Sequence, residues 1–309
     1  MNSTSLATKE KLSAALSSVL AAILLTGLKV VVGVLTGSLG ILAEAAHSGL
    51  DLVAAVVTYL AVHFSSKPAD RDHPYGHGKI ENLSAMIETL LLLATCAWII
   101  HEAVERLFFR EVPVEASFWA FAVMGISIAV DVHRSRLLYA AARKHRSQAL
   151  EADALHFSTD IWSSAVVIVG LACLKVADWW FPDVTWLRHA DAVAALVVAA
   201  IVVVVSLRLG VRTIQALLDA APAGLAEQIQ QAAEVVPGVS DCHQIRVRHS
   251  GPQMFVDLHV LVDGRQTLAE AHALTELVEE RIRVFLPEAD VTVHPEPRPE
   301  APPAQPASL

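Results

Sequence analysis

Charge is scarce in this chain. Asp, Glu, Lys and Arg make up 18% of its 309 residues, whereas 54% are hydrophobic. That balance argues against an ordinary soluble domain and for a polytopic membrane protein. Cysteine is nearly missing: Cys96, Cys173 and Cys242 form no C-x-x-C pair and fall in two apolar runs and one polar segment, which argues against a disulfide framework. No block of basic residues occurs and the formal net charge is −9, so nothing suggests nucleic acid as a partner. The start, MNSTSLATKEKLSAALS, has no small-residue cleavage site behind a short apolar core, and it reads as a retained tail rather than a signal peptide.

Long apolar runs are what the chain has instead. A bilayer-spanning helix needs about 20 predominantly apolar residues, and six such windows lie at roughly 14–36, 39–63, 82–107, 115–137, 151–177 and 189–212. Basic residues sort the connections between them. Lys9 and Lys11 precede the first window, and Lys67, Arg71 and Lys79 lie between the second and third. Arg134, Arg136, Arg143, Lys144 and Arg146 separate the fourth from the fifth, and Arg208 and Arg212 follow the sixth. The other connections are poor in basic residues: none in TGSLG, Arg106 and Arg110 near the third window, Lys175 and Arg188 near the fifth. The positive-inside rule then places both termini in the cytoplasm.

After Asp219 the pattern changes. APAGLAEQIQQAAEVVPGVS reads as an amphipathic helix closed by Pro237-Gly238. CHQIRVRHSG and MFVDLHVLVDG alternate like two strands joined at Ser250-Gly251-Pro252. TLAEAHALTELVEERIRVFLP has a helical period and ADVTVHPEP closes as a third strand. The expected fold class is an α-helical membrane protein with six transmembrane helices plus a cytoplasmic α+β (αββαβ, ferredoxin- or metallochaperone-like) domain. The expected divisions are a cytoplasmic tail over 1–12, the six-helix domain over 13–219, the cytoplasmic domain over 220–296 and a Pro-rich, disordered tail over 297–309.

Within the apolar runs a few ionisable residues stand out. One at bilayer depth costs about 2.5–3.5 kcal/mol on insertion scales, so such residues face a cavity or a partner. AEAAHSGLDLVAA carries His47 and Asp51; EADALHFSTDIWSSA carries His156 and Asp160 at the same spacing. Positions i and i+4 share one helix face. A single His–Asp pair can be a hydrogen-bonded packing device, but the motif repeated in two spans offers two imidazoles and two carboxylates, a tetrahedral set suited to Zn²⁺. Imidazole also titrates near neutral pH, so protons compete with metal for the same nitrogen. In the loop PADRDHPYGHGKIE, Asp70, His73 and His77 could hold Zn²⁺ with water or Asp72, or could belong to a solvated polar loop. His243, His259, His272 and His294, with Glu296, are spread over elements that a compact αββαβ fold brings together.

The two H-x-x-x-D motifs, the six spans and the αββαβ domain resemble the cation diffusion facilitator family of metal/proton antiporters, among them bacterial ferrous-iron and zinc exporters. The likeness runs from about Leu12 to Glu296. It implies that His47, Asp51, His156 and Asp160 form the transport site. His in the second-span position goes with a preference for zinc and cadmium. The resemblance further makes Asp70, His73 and His77 ligands of a second, weaker zinc. It pairs Lys79 with Asp219 in a charge interlock at the membrane surface. His243, His259, His272, His294 and Glu296 become a binuclear zinc site between two cytoplasmic domains of a homodimer. Glu296 departs from the family's Asp, lengthening that ligand arm by a methylene. His249 reads as a surface residue.

The implied activity is export of Zn²⁺ (and Cd²⁺) across the inner membrane in exchange for protons, by a multi-pass homodimer in the lipid bilayer that is not an enzyme. Efflux of Fe²⁺, Co²⁺ or Ni²⁺ and a metal-gated channel or sensor are the alternatives. HEAVE at His101 fails as a zinc-protease motif because Glu105 stands where the second His is required. Glu44, Glu88 and Asp131 could pair with one another or line a water path, and Cys242 is either a soft ligand or a buried thiol. The tryptophans lie mostly near expected interfaces.

Overall fold

A computed structural model describes residues 3–108, 118–180 and 190–298. Arg110, Arg188, Trp186, the first residues of the fourth window and the tail from 299 onward lie outside the described residues. The chain divides into two compact units, 1–215 and 216–309.

Among the described residues, the first unit has six long helices: α1 (Ser3–Thr36), α2 (Leu39–Ser65), α3 (Lys79–Phe108), α4 (Phe118–His145), α5 (Gln148–Trp180) and α6 (Ala190–Leu217). Among the described residues, α1, α2, α3 and α6 contain stretches long and apolar enough to cross a membrane, at Leu6–Thr36, Glu44–Ser65, Lys79–Glu105 and Leu196–Leu217. The other two are as long, but α4 carries Asp131 and Arg134, and α5 carries Glu151, Asp153, His156 and Asp160. These polar residues separate six helices from six uniformly apolar ones.

Tight turns set the pairing. Gly37, at φ +67°, stops α1, and the Ser38 side chain caps α2 by accepting from the Ile41 N–H. Gly33 lets the hairpin close, since a Cβ there would lie 2.8 Å from Leu42. Arg146, at φ +50°, turns the chain from α4 into α5, whose first turn is capped by Ser147 Oγ accepting from the Leu150 N–H. Small residues then let α1, α2, α4 and α5 meet: Ala14, Ala15, Ala55, Ala142, Ala149 and Ala154 surround Leu138, Leu150 and Phe157. α3 packs on α2 and α5. Leu24, Leu35, Leu50 and Trp98 are left on the outside, as lipid contact requires.

The helices run further than the apolar windows. Residues 3–12, expected as a tail, continue α1, and Lys11 is buried there with its Nζ 2.6 Å from Glu81 Oε1 of α3. Ser65 and Ser147 also donate to Glu81, so one buried carboxylate ties α1, α2, α3 and the start of α5. Arg134, expected in a connection, lies inside α4, 4% exposed, bonded to Asp131 and Ser18 and stacked 3.6 Å over the Phe157 ring. Hydropathy cannot anticipate this, because a paired and stacked guanidinium is tolerated where a free one is not. Arg208 and Arg212 likewise belong to α6, where Arg212 pairs with Glu151.

The second unit has the expected order: α7 (Leu225–Glu234), β1 (Asp241–Ser250), β2 (Gln253–Val262), α8 (Leu268–Arg283) and β3 (Ala289–Pro297). The sheet order is β1-β2-β3, with β1 antiparallel and β3 parallel to β2. Gly251 at φ +60° followed by Pro252 makes a two-residue hairpin that sets Ser250 against Gln253. Val256, Leu258, Val260 and Val262 of β2 pack with Ile229 and Ala233 of α7 and Val278 and Ile282 of α8. Each fully buried side chain of this kind stabilises the fold by about 1.5–3 kcal/mol. Parallel pairing of β3 to β2 runs through Pro297 and sets Glu296 against Leu261.

Candidate metal centres

Alanine-rich contacts bring α2 and α5 close, and the i,i+4 spacing does the rest. His156 Nε2 lies 3.2 Å from Asp51 Oδ1 and 3.8 Å from Asp160 Oδ2. His47 Nε2 lies 3.9 Å from both Asp51 Oδ1 and Asp160 Oδ1. Four donors around one ion at about 2.0–2.1 Å would stand roughly 3.3 Å apart; ligand atoms of His47, Asp51 and Asp160 already lie within 4.8 Å of one another, and His156 adjoins both carboxylates, so the group can close on a tetrahedral divalent cation. His156 is buried, its side chain 6% exposed, and His47 is 40% exposed, so the group is open on the His47 side.

In the loop between α2 and α3, Asp70 organises its neighbours before any metal does. Its Oδ1 accepts from the backbone N–H groups of His73 at 2.7 Å and Asp72 at 3.0 Å. The His73 hydrogen bond foremost, then that of Asp72 and the two nearby imidazoles, hold its carboxyl below the usual carboxylate range. Asp70 then faces His73 Nδ1 at 3.4 Å and His77 Nε2 at 3.5 Å, with the two rings 4.4 Å apart. Asp72 contributes a backbone N–H and is not among the three grouped ligand atoms. Lys79 opens α3; Asp219 follows α6 in a left-handed conformation at φ +58°.

Strand register builds the third group. His243 pairs with His259 and His259 with His294, so three imidazoles form one row across the sheet. Cys242, Val260 and Val293 beside them pack toward the helices, which puts the histidines on the other face. A bulge after His243, with Gln244 at φ +50°, shifts the rest of β1. Glu296 accepts from His259 Nδ1 at 2.8 Å and lies 3.3 Å from His243 Nε2 and 3.8 Å from His294 Nε2. The His259 hydrogen bond holds its carboxyl below the usual range. The longer arm is thus no obstacle, since one glutamate reaches all three rings. His272 is not brought in within this chain; it stands on α8, 71% exposed, 3.7 Å from Glu276.

Some residues were undervalued by sequence reasoning. Glu44, Glu88 and Asp131 do not pair with one another: Glu44 meets Lys29, Asp131 meets Arg134, and Glu88 accepts from Thr58 on α2. Asp241 holds His243 Nδ1 at 2.9 Å, a contact that an i,i+2 acidic neighbour on a strand could have signalled. Burial pushes the Cys242 thiol up to about 11, which suits a buried thiol and not a thiolate ligand. His101 Nε2 lies 3.9 Å from Glu105 Oε1, the histidine exposed and the glutamate half-buried.

Comparison with known proteins matches both units. Residues 15–218 match the cation efflux transmembrane domain, and residues 222–298 match the cytoplasmic domain of cation efflux proteins. The chain is 32% identical over 285 residues to the cation-efflux pump FieF of Cronobacter sakazakii, covering 92% of each chain. It is 32% identical over 291 residues to FieF of Serratia proteamaculans, again covering 92% of each. Among solved structures, MamM-CTD 215-293 matches at 30% identity and a TM-score of 0.22, over 23% of this chain and 92% of that one.

Proposed function

Because this chain belongs to the cation efflux family, we propose that it exports Zn²⁺ from the cytoplasm in exchange for protons, as a homodimer in the cytoplasmic membrane. The family's members are transporters of divalent cations, not enzymes, so the chemistry sought is binding and release. The proposal rests on one observation: between α2 and α5, the Nε2 atoms of His47 and His156 each stand 3.2–3.9 Å from carboxylate oxygens of both Asp51 and Asp160.

In the proposed cycle all six helices span the membrane and both termini are cytoplasmic. Zn²⁺ from the inside binds the two imidazole nitrogens and two carboxylates, and a change of access turns the site outward. Protons compete with the metal for each Nε2, so binding to a protonated imidazole releases its proton and protonation on the far side expels the ion. Metal affinity therefore rises with pH on either face. Two carboxylates would also accept harder cations, and His47 is the argument for zinc and cadmium over Fe²⁺, Co²⁺ or Ni²⁺.

Around this site the proposal assigns supporting roles. Asp70, His73 and His77 take a second, weaker zinc. His243, His259, His294 and Glu296 take zinc at the dimer, with His272 joining from α8. Lys79 and Asp219 form the charge interlock, so exchanging the two charges should restore transport lost on reversing either one.

The test is zinc flux in proteoliposomes under an imposed pH gradient, comparing the wild type with Asp160→Ala. Gradient-driven flux that falls to background in the variant is expected. Flux indifferent to the gradient would favour a channel, and full transport by the variant would overturn the four-residue site.

A further inference from the structure

His156 has two ring nitrogens, and only Nε2 faces Asp51 and Asp160. Its Nδ1 points the other way, toward α3, where Glu88 Oε2 lies 3.6 Å off. Neither atom makes a hydrogen bond among the described residues, and both are buried. Glu88 is 1% exposed, and its other oxygen is held by Thr58 Oγ1 at 3.1 Å. A buried carboxylate oxygen without a donor is costly. Facing it is Nδ1 of a histidine whose opposite nitrogen belongs to the proposed metal site.

We propose that Glu88 is a positioning residue for transport: it accepts the His156 Nδ1–H, fixes the tautomer that leaves Nε2 free for the ion, and sets the ring's orientation. A ligating histidine usually donates its second N–H to such an acceptor, which orients the ring and strengthens it as a ligand. At 3.6 Å the contact is longer than a hydrogen bond. Contraction of the four ligands around an ion calls for a small ring movement, and α3, packed on both α2 and α5, supplies the acceptor from outside the ligand helices. Thr58 keeps that acceptor aimed, so α2 contributes to the site twice, through its ligands and through the residue that steadies Glu88.

This inference rests on the four-residue site, and the experiment separates the two. Zinc binding to the detergent-purified full chain is measured by calorimetry, and zinc flux by KM and kcat in proteoliposomes, for the wild type, Glu88→Ala, Glu88→Gln, Thr58→Val and Asp160→Ala. Glu88→Ala is expected to weaken zinc binding about 10–100-fold, mainly as a higher KM. Glu88→Gln should stay within about threefold of the wild type, because its amide oxygen accepts from Nδ1–H while its NH₂ donates to Thr58. Thr58→Val should lose about fivefold, the worth of one hydrogen bond. Wild-type affinity in Glu88→Ala, or an equal loss in Glu88→Gln, overturns the proposal. If Glu88→Ala does not elute as folded protein, Thr58→Val decides, and unchanged affinity there overturns it. Full binding by Asp160→Ala would instead refute the four-residue site, whatever Glu88 does.

Discussion

The residues that matter most are charged groups in apolar helices, and each persists because something faces it. Lys11 and Glu81 are the clearest case, buried on α1 and α3 with 2.6 Å between them. Breaking such a pair from one side leaves an uncompensated charge and costs about 3–5 kcal/mol, whereas replacing both partners by apolar residues can be neutral. Lys11→Met should therefore lower the thermal stability of the detergent-solubilised protein markedly, and Lys11→Met with Glu81→Met should recover most of the loss. A double variant no better than the single one would show that Ser65 and Ser147, not Lys11, are what Glu81 serves. Glu296 makes a different point. Its carboxyl is held below the usual range, so the stability it contributes is present above the ordinary carboxylate value, about 4.3, and is lost as pH falls through its lower folded value. Mild acidification leaves Glu296 ionised. In a pH titration of zinc added to the full chain, Glu296→Gln should therefore weaken binding at every pH above the ordinary carboxylate range.

At the scale of elements, caps and small residues decide where helices stop and how near they come. α8 is held by a capping box, in which Thr267 accepts from the Glu270 N–H while Glu270 accepts from Thr267. Those bonds from Thr267, backbone first and then hydroxyl, hold the Glu270 carboxyl below its usual range. Thr267→Ala should cost about 1 kcal/mol, read as faster hydrogen exchange in the first turn of α8 while the exchange of α7 is unchanged. In the helical unit, the Gly33–Leu42 approach sets the α1–α2 hairpin, and that hairpin fixes the height at which α2 presents His47 and Asp51.

For the whole molecule, the incomplete group on the sheet carries the consequence. His243, His259, His294 and Glu296 gather within one chain while His272 stands apart. A site that uses all five residues would need ligands from more than one copy. Zinc should accordingly raise the dimer fraction of the purified full chain in sedimentation, and His243→Ala with His259→Ala should abolish that dependence. A dimer fraction indifferent to zinc in the wild type would leave the sheet site without a part in assembly.

Six helices, the αββαβ order and the two H-x-x-x-D pairs were legible in the sequence because each is a local property: apolar length, strand alternation, and a spacing that puts i and i+4 on one face. What only the tertiary structure decided lies between residues far apart along the chain. Sorting basic residues into connections put Lys11 and Arg134 outside the helices, since it weighs a charge without its partner; packing set Lys11 against Glu81, and Arg134 against Ser18 and Phe157, and so placed both inside. Strand register, with its bulge and its parallel third strand, aligned three histidines under one glutamate and left His272 aside. Glu88 could not be assigned from spacing at all, because its meaning is the nitrogen of His156 that it faces from a third helix.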